Sequence, residues 1–307
     1  MKCLRASILS ATVGLLALSW GSAAAQPVST APPALKQASV NGVDLVYLEQ
    51  GQGAPVVFVH GAFMDHRAWE AQREAVAQRH RYIALTQRYF GTAPWPDSGE
   101  KFSLATHADD LAVFIRELKA GPVRVVGWSY GGAIALALAV QHPELVKSLF
   151  LHEPAGIASF VTDPADVKTA GEDRREMVGP ASGASKAGDT AGAVRLFFDG
   201  VNGQPGTFET LPAATRSMLL DNARTIPLQF GAPPPPALGC AQLGQIKVPV
   251  TVAKGELTRA TFRILADTAS RCMSGSRLVV VSQGRHAAPA LTPAAFNDAL
   301  LDFLENN

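Results

Sequence analysis

Residues Val125–Val140 read VVGWSYGGAIALALAV, and the fold turns on this run. Val123–Val126 holds three β-branched valines beside Arg124 and runs into the apolar pair Val125-Val126, so it reads as a buried strand. Tyr130–Gln141 is apolar almost throughout. It reads as a helix without a solvent face, stopped by His142-Pro143. Between them stands Gly127-Trp128-Ser129-Tyr130-Gly131, which fits G-x-S-x-G. A strand that turns sharply into a helix doubles the chain back, so the positions two before and two after the serine must be small. Such a turn lifts the hydroxyl above the sheet edge and points the free N–H groups of the helix N-terminus towards it. Ser129 is therefore a candidate nucleophile.

Outward from this joint, strand-like and helix-like runs alternate. Val43–Leu48, Pro55–His60, Tyr82–Leu85 and Val146–Leu151 have strand character. Arg67–Gln78 and Ser103–Leu118 have helical spacing. The alternation predicts an α/β fold, a mostly parallel doubly wound sheet with helices on both faces. It breaks after Glu153. Residues 154–245 contain helical runs at Asp163–Val178, Thr190–Asp199 and Leu211–Ala223, separated by Gly- and Pro-rich pieces such as Pro233–Pro236. It resumes with a strand at Val248–Ala253, a helix at Arg259–Ala269, a strand at Arg277–Val281 and a closing helix at Pro293–Leu304. The simplest organisation is a core of residues 26–153 and 246–307 with a helical lid, 154–245, inserted after the sixth strand.

Bulk properties exclude some functions. The chain has 307 residues, is 47% hydrophobic and carries a formal charge of +1. So neutral a chain has no long-range field to hold nucleic acid. Lys2 and Arg5 precede an apolar stretch, Ala6–Trp20, and a small-residue run, Ala23-Ala24-Ala25. This reads as a signal peptide, residues 1–25, cleaved before Gln26, and implies a periplasmic or secreted protein. The stretch is short for a membrane span, which needs roughly 20 apolar residues, so no stable membrane insertion is expected. Gln26–Lys36 reads as a disordered lead-in. Cleavage leaves Cys240 and Cys272, which in an oxidising compartment are either a disulfide or two thiols. No Cys/His cluster has metal-ligand spacing.

A serine hydroxyl needs a base. Of seven histidines, His66, His80, His107 and His142 sit in or beside predicted helices and read as solvent-facing or capping. His60 and His152 end strands. His286 follows the last strand after the turn Ser282–Arg285. Loops after the strand C-termini of a doubly wound sheet gather at one edge, which would bring His286 to Ser129. His60-Gly61-Ala62-Phe63 also follows a strand end, and its N–H groups, with that of Tyr130, could receive an oxyanion.

Taken in order, FVHG at 58–61, RYFG at 88–91, GWSYGG at 127–132 and GRH at 284–286 resemble the α/β-hydrolase superfamily over roughly Val43–Leu304. The resemblance implies a serine attack on an acyl carbonyl, with Ser129 as nucleophile, His286 as proton relay, and Ala62 and Tyr130 as oxyanion donors. It implies no cofactor and no metal. The sequence departs from the family at the third catalytic group. After the strand Val248–Ala253 the family usually shows G-x-x-D; here it is Gly255-Glu-Leu-Thr258. Some relatives, certain dehalogenases and zearalenone-type lactonases among them, carry the acid after the preceding strand, where this chain has His152-Glu153-Pro154. Glu153 is the favoured acid and Glu256 the alternative.

The expected function is hydrolysis of a small-molecule carboxylic ester or lactone through an acyl-enzyme, of the carboxylesterase/lactonase type. Trp128, Phe63 and Met64 are candidates for substrate binding. Leu196, Phe197, Phe198, Met218 and Leu219 are available to line the lid. Perhydrolase and carbon–carbon bond hydrolase chemistry use the same groups, whereas epoxide hydrolases and haloalkane dehalogenases need a carboxylate where Ser129 stands. A non-catalytic small-molecule binder on the same scaffold is the reading from another class, and the missing aspartate is its sole support.

Overall fold

The computed structural model describes residues 33–307; the signal-like segment and most of the lead-in lie outside the described residues. Eight strands form one sheet: β1 Ala34–Val40, β2 Val43–Gln50, β3 Pro55–Val59, β4 Arg81–Leu85, β5 Val123–Trp128, β6 Val146–His152, β7 Val250–Gly255 and β8 Arg277–Val281. Their order is β1-β2-β4-β3-β5-β6-β7-β8. From β4 to β8 every neighbouring pair is parallel; β1–β2 and β2–β4 are antiparallel. β5 is buried along its whole length and β3 and β6 nearly so, which is why they show no alternation.

The lead-in corrects one expectation: Ala34–Lys36 belongs to β1, paired in register with β2 from Ala34↔Glu49 to Val40↔Val43. The turn between them is Asn41-Gly42, both at positive φ, the backbone that a two-residue hairpin requires.

Among the described residues, twelve α-helical segments pack against or above the sheet. The core carries α1 Glu70–Ala77, α2 Leu104–Glu117, α3 Tyr130–Gln141, α10 Ala260–Cys272, α11 Ala288–Leu291 and α12 Pro293–Asn306. Between β6 and β7 lie α4 Pro164–Lys186, α5 Thr190–Asn202, α6 Thr207–Thr210, α7 Ala213–Asp221, α8 Ile226–Gly231 and α9 Cys240–Leu243. Every residue of α3 from Tyr130 to Ala139 is buried, so no amphipathic stripe is possible.

The insertion is fastened to the core at several points. Asp173 of α4 takes the Arg259 guanidinium at 2.7 Å and the Thr261 N–H at 2.9 Å. Buried Asn202, at the end of α5, accepts the Ala287 N–H at 2.9 Å. Buried Asn222, after α7, donates to Asp65 at 2.9 Å and accepts the Gly91 N–H at 2.6 Å. Cys240 of α9 and Cys272 of α10 form a disulfide.

Candidate active site

Ser129 sits where β5 passes into α3, at φ 54° and ψ −116°. This backbone is costly for a residue with a Cβ and persists only where the surroundings enforce it. Here they do. The Ser129 N–H donates to the His152 carbonyl at 2.9 Å, and the Ser129 carbonyl accepts from Ala133 and Ala155. The flanking glycines are required by close approach: a Cβ at Gly131 would stand 2.1 Å from the Val59 carbonyl oxygen, and one at Gly127 2.7 Å from that of Gly131. Ser129 is the N-cap residue of α3, yet its side chain makes no capping bond, which leaves the hydroxyl available.

His286 lies in the loop after β8, almost fully buried. Its Nδ1 is 2.6 Å from Glu153 Oε2. Glu153 directly follows β6 at φ 45° and is fully buried. Its other oxygen, Oε1, accepts the Gly255 N–H at 2.7 Å. Burial alone would raise the Glu153 carboxyl pKa. The hydrogen bond from His286, the nearby His152 and His286 rings and the Gly255 N–H outweigh that, so it lies below the ordinary glutamate value. The bound Nδ1 is thereby a donor, and Nε2 is the nitrogen free to accept a proton.

Glu256 is elsewhere. It is exposed, and its carboxylate accepts the Gln283 N–H at 2.8 Å in the turn after β8. Of the two candidate acids, Glu153 is the one joined to His286. The Thr258 hydroxyl is buried without a hydrogen-bond partner.

The His286 ring is held from further directions, none of them foreseen in sequence. Phe262 of α10 stacks on its face, centroids 3.7 Å apart and planes 10° from parallel. The His286 carbonyl accepts from Trp128 Nε1 at 2.9 Å and from His152 Nε2 at 3.1 Å. Burial pushes the His152 pKa down to about 4, so it is neutral at neutral pH.

His60 is buried, with Nδ1 2.8 Å from the Gly61 carbonyl and Nε2 accepting the Gln87 N–H at 3.1 Å. It braces the turn that carries Ala62. A Cβ at Gly61 would lie 3.4 Å from Ser129 Cβ, so this turn adjoins the serine. Tyr130 is the first residue of α3, and its N–H has no intrahelical acceptor. His107, expected to face solvent or cap a helix, is instead buried and bonded through Nδ1 to the Tyr130 hydroxyl at 2.8 Å. It lies on the inner face of α2, where it anchors the side chain that follows Ser129.

Ser129, His286, Ala62, Phe63, Met64 and Trp128 all line one chamber, roofed by Phe197, Phe198 and Leu219 of the insertion. Leu196 does not join them; it is 42% exposed on the outer side of α5. The chamber is tight, about 10 Å³, the space of a single water. No cluster of metal-ligating side chains occurs among the described residues.

Residues 54–197 match the family model described as the α/β-hydrolase fold. A 2-hydroxy-6-oxo-6-(2'-aminophenyl)hexa-2,4-dienoic acid hydrolase of Metapseudomonas resinovorans is 33% identical over 123 residues, 39% of this chain and 42% of that protein. The chain thus aligns with under half the length of that curated relative. An esterase from Exiguobacterium antarcticum superposes with a TM-score of 0.72 at 21% identity, over 88% of this chain and 98% of that one. A bromoperoxidase from Bacillus anthracis gives 0.71 at 21% identity, over 89% and 100%. With the mostly parallel eight-stranded sheet, the strained serine at its centre and the matched segment around it, the chain has the α/β-hydrolase fold.

Proposed function

We propose that this protein is a serine hydrolase that cleaves a carboxylic ester or lactone through an acyl-enzyme on Ser129. One observation carries the reading: a buried Glu153–His286 pair at 2.6 Å, whose histidine lines the chamber that holds the strained serine. Ser129 Oγ attacks the acyl carbon while its proton passes to His286 Nε2, and the imidazolium is stabilised by the Glu153 carboxylate. The carbonyl oxygen becomes an oxyanion, received by the Ala62 and Tyr130 N–H groups. Collapse breaks the bond from acyl carbon to leaving oxygen, and His286 returns its proton to the departing alkoxide. Water then adds to the acyl-enzyme, its proton taken by His286, and the acid leaves as Ser129 is reprotonated.

The non-catalytic reading loses its support once a carboxylate is found behind His286. Carbon–carbon bond hydrolysis is the second reading, favoured by the similarity to the dienoic acid hydrolase. We also propose export to an oxidising compartment, a reading that the Cys240–Cys272 disulfide supports.

The test is labelling with a small alkyl fluorophosphonate, read by intact mass, on the wild type and Ser129→Ala. One adduct on the wild type and none on the variant is expected, together with turnover of p-nitrophenyl butyrate lost in the variant. A folded wild type that never labels would overturn the proposal.

A further inference from the structure

A second cavity, about 440 Å³, adjoins the Ser129 chamber between α1 and α7. That volume lies within the range of small-molecule pockets, roughly 300–1,000 Å³. The two spaces share Met64, Trp128 and Phe198 as walls. Trp128 is tied to the His286 carbonyl, so Met64 and Phe198 are the movable part of the partition. The insertion is fastened through Asp173, Asn202 and Asn222. Side-chain rotation in this partition therefore joins the spaces at lower cost than breaking those buried bonds, and methionine is suited to it.

The charge of the combined space is informative. Among the described residues, His286 is the one ionisable residue lining the inner chamber. The outer cavity has Arg67 and Glu70, and both are matched: Arg67 by Asp65 at 2.6 Å and Asp221 at 2.9 Å, Glu70 by Arg73 at 2.7 Å. No unpaired cation among the described lining residues could hold a carboxylate, and an unpaired carboxylate in an apolar pocket is strongly disfavoured. Ala68, Ala71, Ala214 and Thr215 give the outer walls a small, smooth surface.

We infer that the substrate is an uncharged acyl compound with a flexible apolar arm, and that this arm lies in the cavity between α1 and α7. The inference rests on Ser129 being the nucleophile, and it separates this chain from hydrolases of carboxylate-bearing substrates. Each methylene buried there should raise kcat/KM roughly fourfold.

The test compares p-nitrophenyl acetate, butyrate and hexanoate with p-nitrophenyl hydrogen adipate, which replaces the terminal methyl of hexanoate by a carboxylate. We expect kcat/KM to climb from acetate to hexanoate and to fall at least 100-fold from hexanoate to adipate. Ala214→Trp and Thr215→Trp, at the solvent-facing wall, should each lower the hexanoate-to-acetate ratio at least tenfold, with folding checked by circular dichroism. A flat chain-length profile, adipate turned over as well as hexanoate, or a ratio moved by neither variant overturns the inference. Fluorophosphonate labelling runs alongside. Labelling with a flat profile overturns the cavity assignment alone, whereas a folded protein that never labels overturns the nucleophile and the inference together.

Discussion

Replacing Glu153 by glutamine changes one oxygen to an amino group and almost nothing else in shape. The native carboxylate accepts twice, from His286 Nδ1 at 2.6 Å and from the Gly255 N–H at 2.7 Å. A glutamine can accept at only one of these places. With its oxygen towards Gly255, its amino group faces Nδ1. The imidazole must then carry its proton on Nε2, the nitrogen needed as base. With its oxygen towards His286, its amino group meets the Gly255 N–H, two buried donors face to face, at about 1–3 kcal/mol. The first arrangement is preferred, so the competent tautomer is a minor species, roughly 5- to 150-fold depleted. The second loss is the negative charge beside the imidazolium formed on attack. Together the two losses should lower kcat about 10³- to 10⁴-fold, in line with the roughly 10⁴-fold effect of the equivalent change in a serine protease. The assay is kcat on p-nitrophenyl butyrate, with melting temperature and circular dichroism to show an intact fold. Glu256→Gln, whose native carboxylate caps a surface turn, should stay within about threefold of wild type. Glu153→Gln near wild-type kcat, with Glu256→Gln reduced by orders of magnitude, would refute the assignment. The same variant has a stability signature. Because the Glu153 pKa is depressed in the folded state, its charge stabilises the fold above the unfolded value of about 4.5. That contribution is lost as pH falls through the lower folded value. Wild type should therefore lose stability on acidification below about pH 4.5 more steeply than Glu153→Gln.

Two further outcomes are expected. Trp128→Phe removes one of the two donors to the His286 carbonyl; at about 1 kcal/mol per hydrogen bond, kcat should fall roughly fivefold with KM altered less, and an unchanged kcat would show that His152 alone suffices. The Cys240–Cys272 bridge closes a loop across 32 positions of sequence, worth about 3–4 kcal/mol by loop-closure entropy. Reduction, or Cys240→Ser with Cys272→Ser, should lower the melting temperature by roughly 10 °C, and equal melting of the oxidised and reduced forms would contradict that.

The core was legible in sequence because its signals are local. Apolar runs without alternation mark the buried strands, and the glycines around Ser129 mark a turn that only small residues permit. Positions at strand ends were legible for the same reason, since a parallel sheet gathers those ends along one edge. That is how Glu153 and His286 could be named together across 133 positions. The hairpin of β1 and β2 also had a local signal, Asn41-Gly42, which the Pro- and Ala-rich lead-in masked. Helix α4 overran its expected end at Val178 because it continues through Pro180 to Lys186, its packing against α5 and α10 overriding a local breaker. The supports of His286 had no such signal. Phe262 is an ordinary inward residue of an amphipathic helix, and Asn202 meets Ala287 across 85 positions. Nothing in either neighbourhood distinguishes packing from positioning.

The relocated acid follows from the geometry of three adjacent strands. β7 lies between β6 and β8, so a carboxylate at the end of β7 faces the loop after β8 directly, whereas one at the end of β6 must reach across an intervening strand, a spacing of about 4.8 Å. The longer side chain of glutamate suits that reach. The strand it crosses ends at Gly255, where a Cβ would lie 2.4 Å from the Gly284 carbonyl oxygen. The glycine lets the turn leading to His286 pack directly on the end of β7, and the Gly255 N–H binds one oxygen of the carboxylate. The glycine at 255 is also the first residue of the G-x-x-D pattern, so the departure is confined to Thr258 and to the acid at the end of β6. The anion behind His286 comes from β6, reaches past the end of β7, and is held in place by the Gly255 N–H.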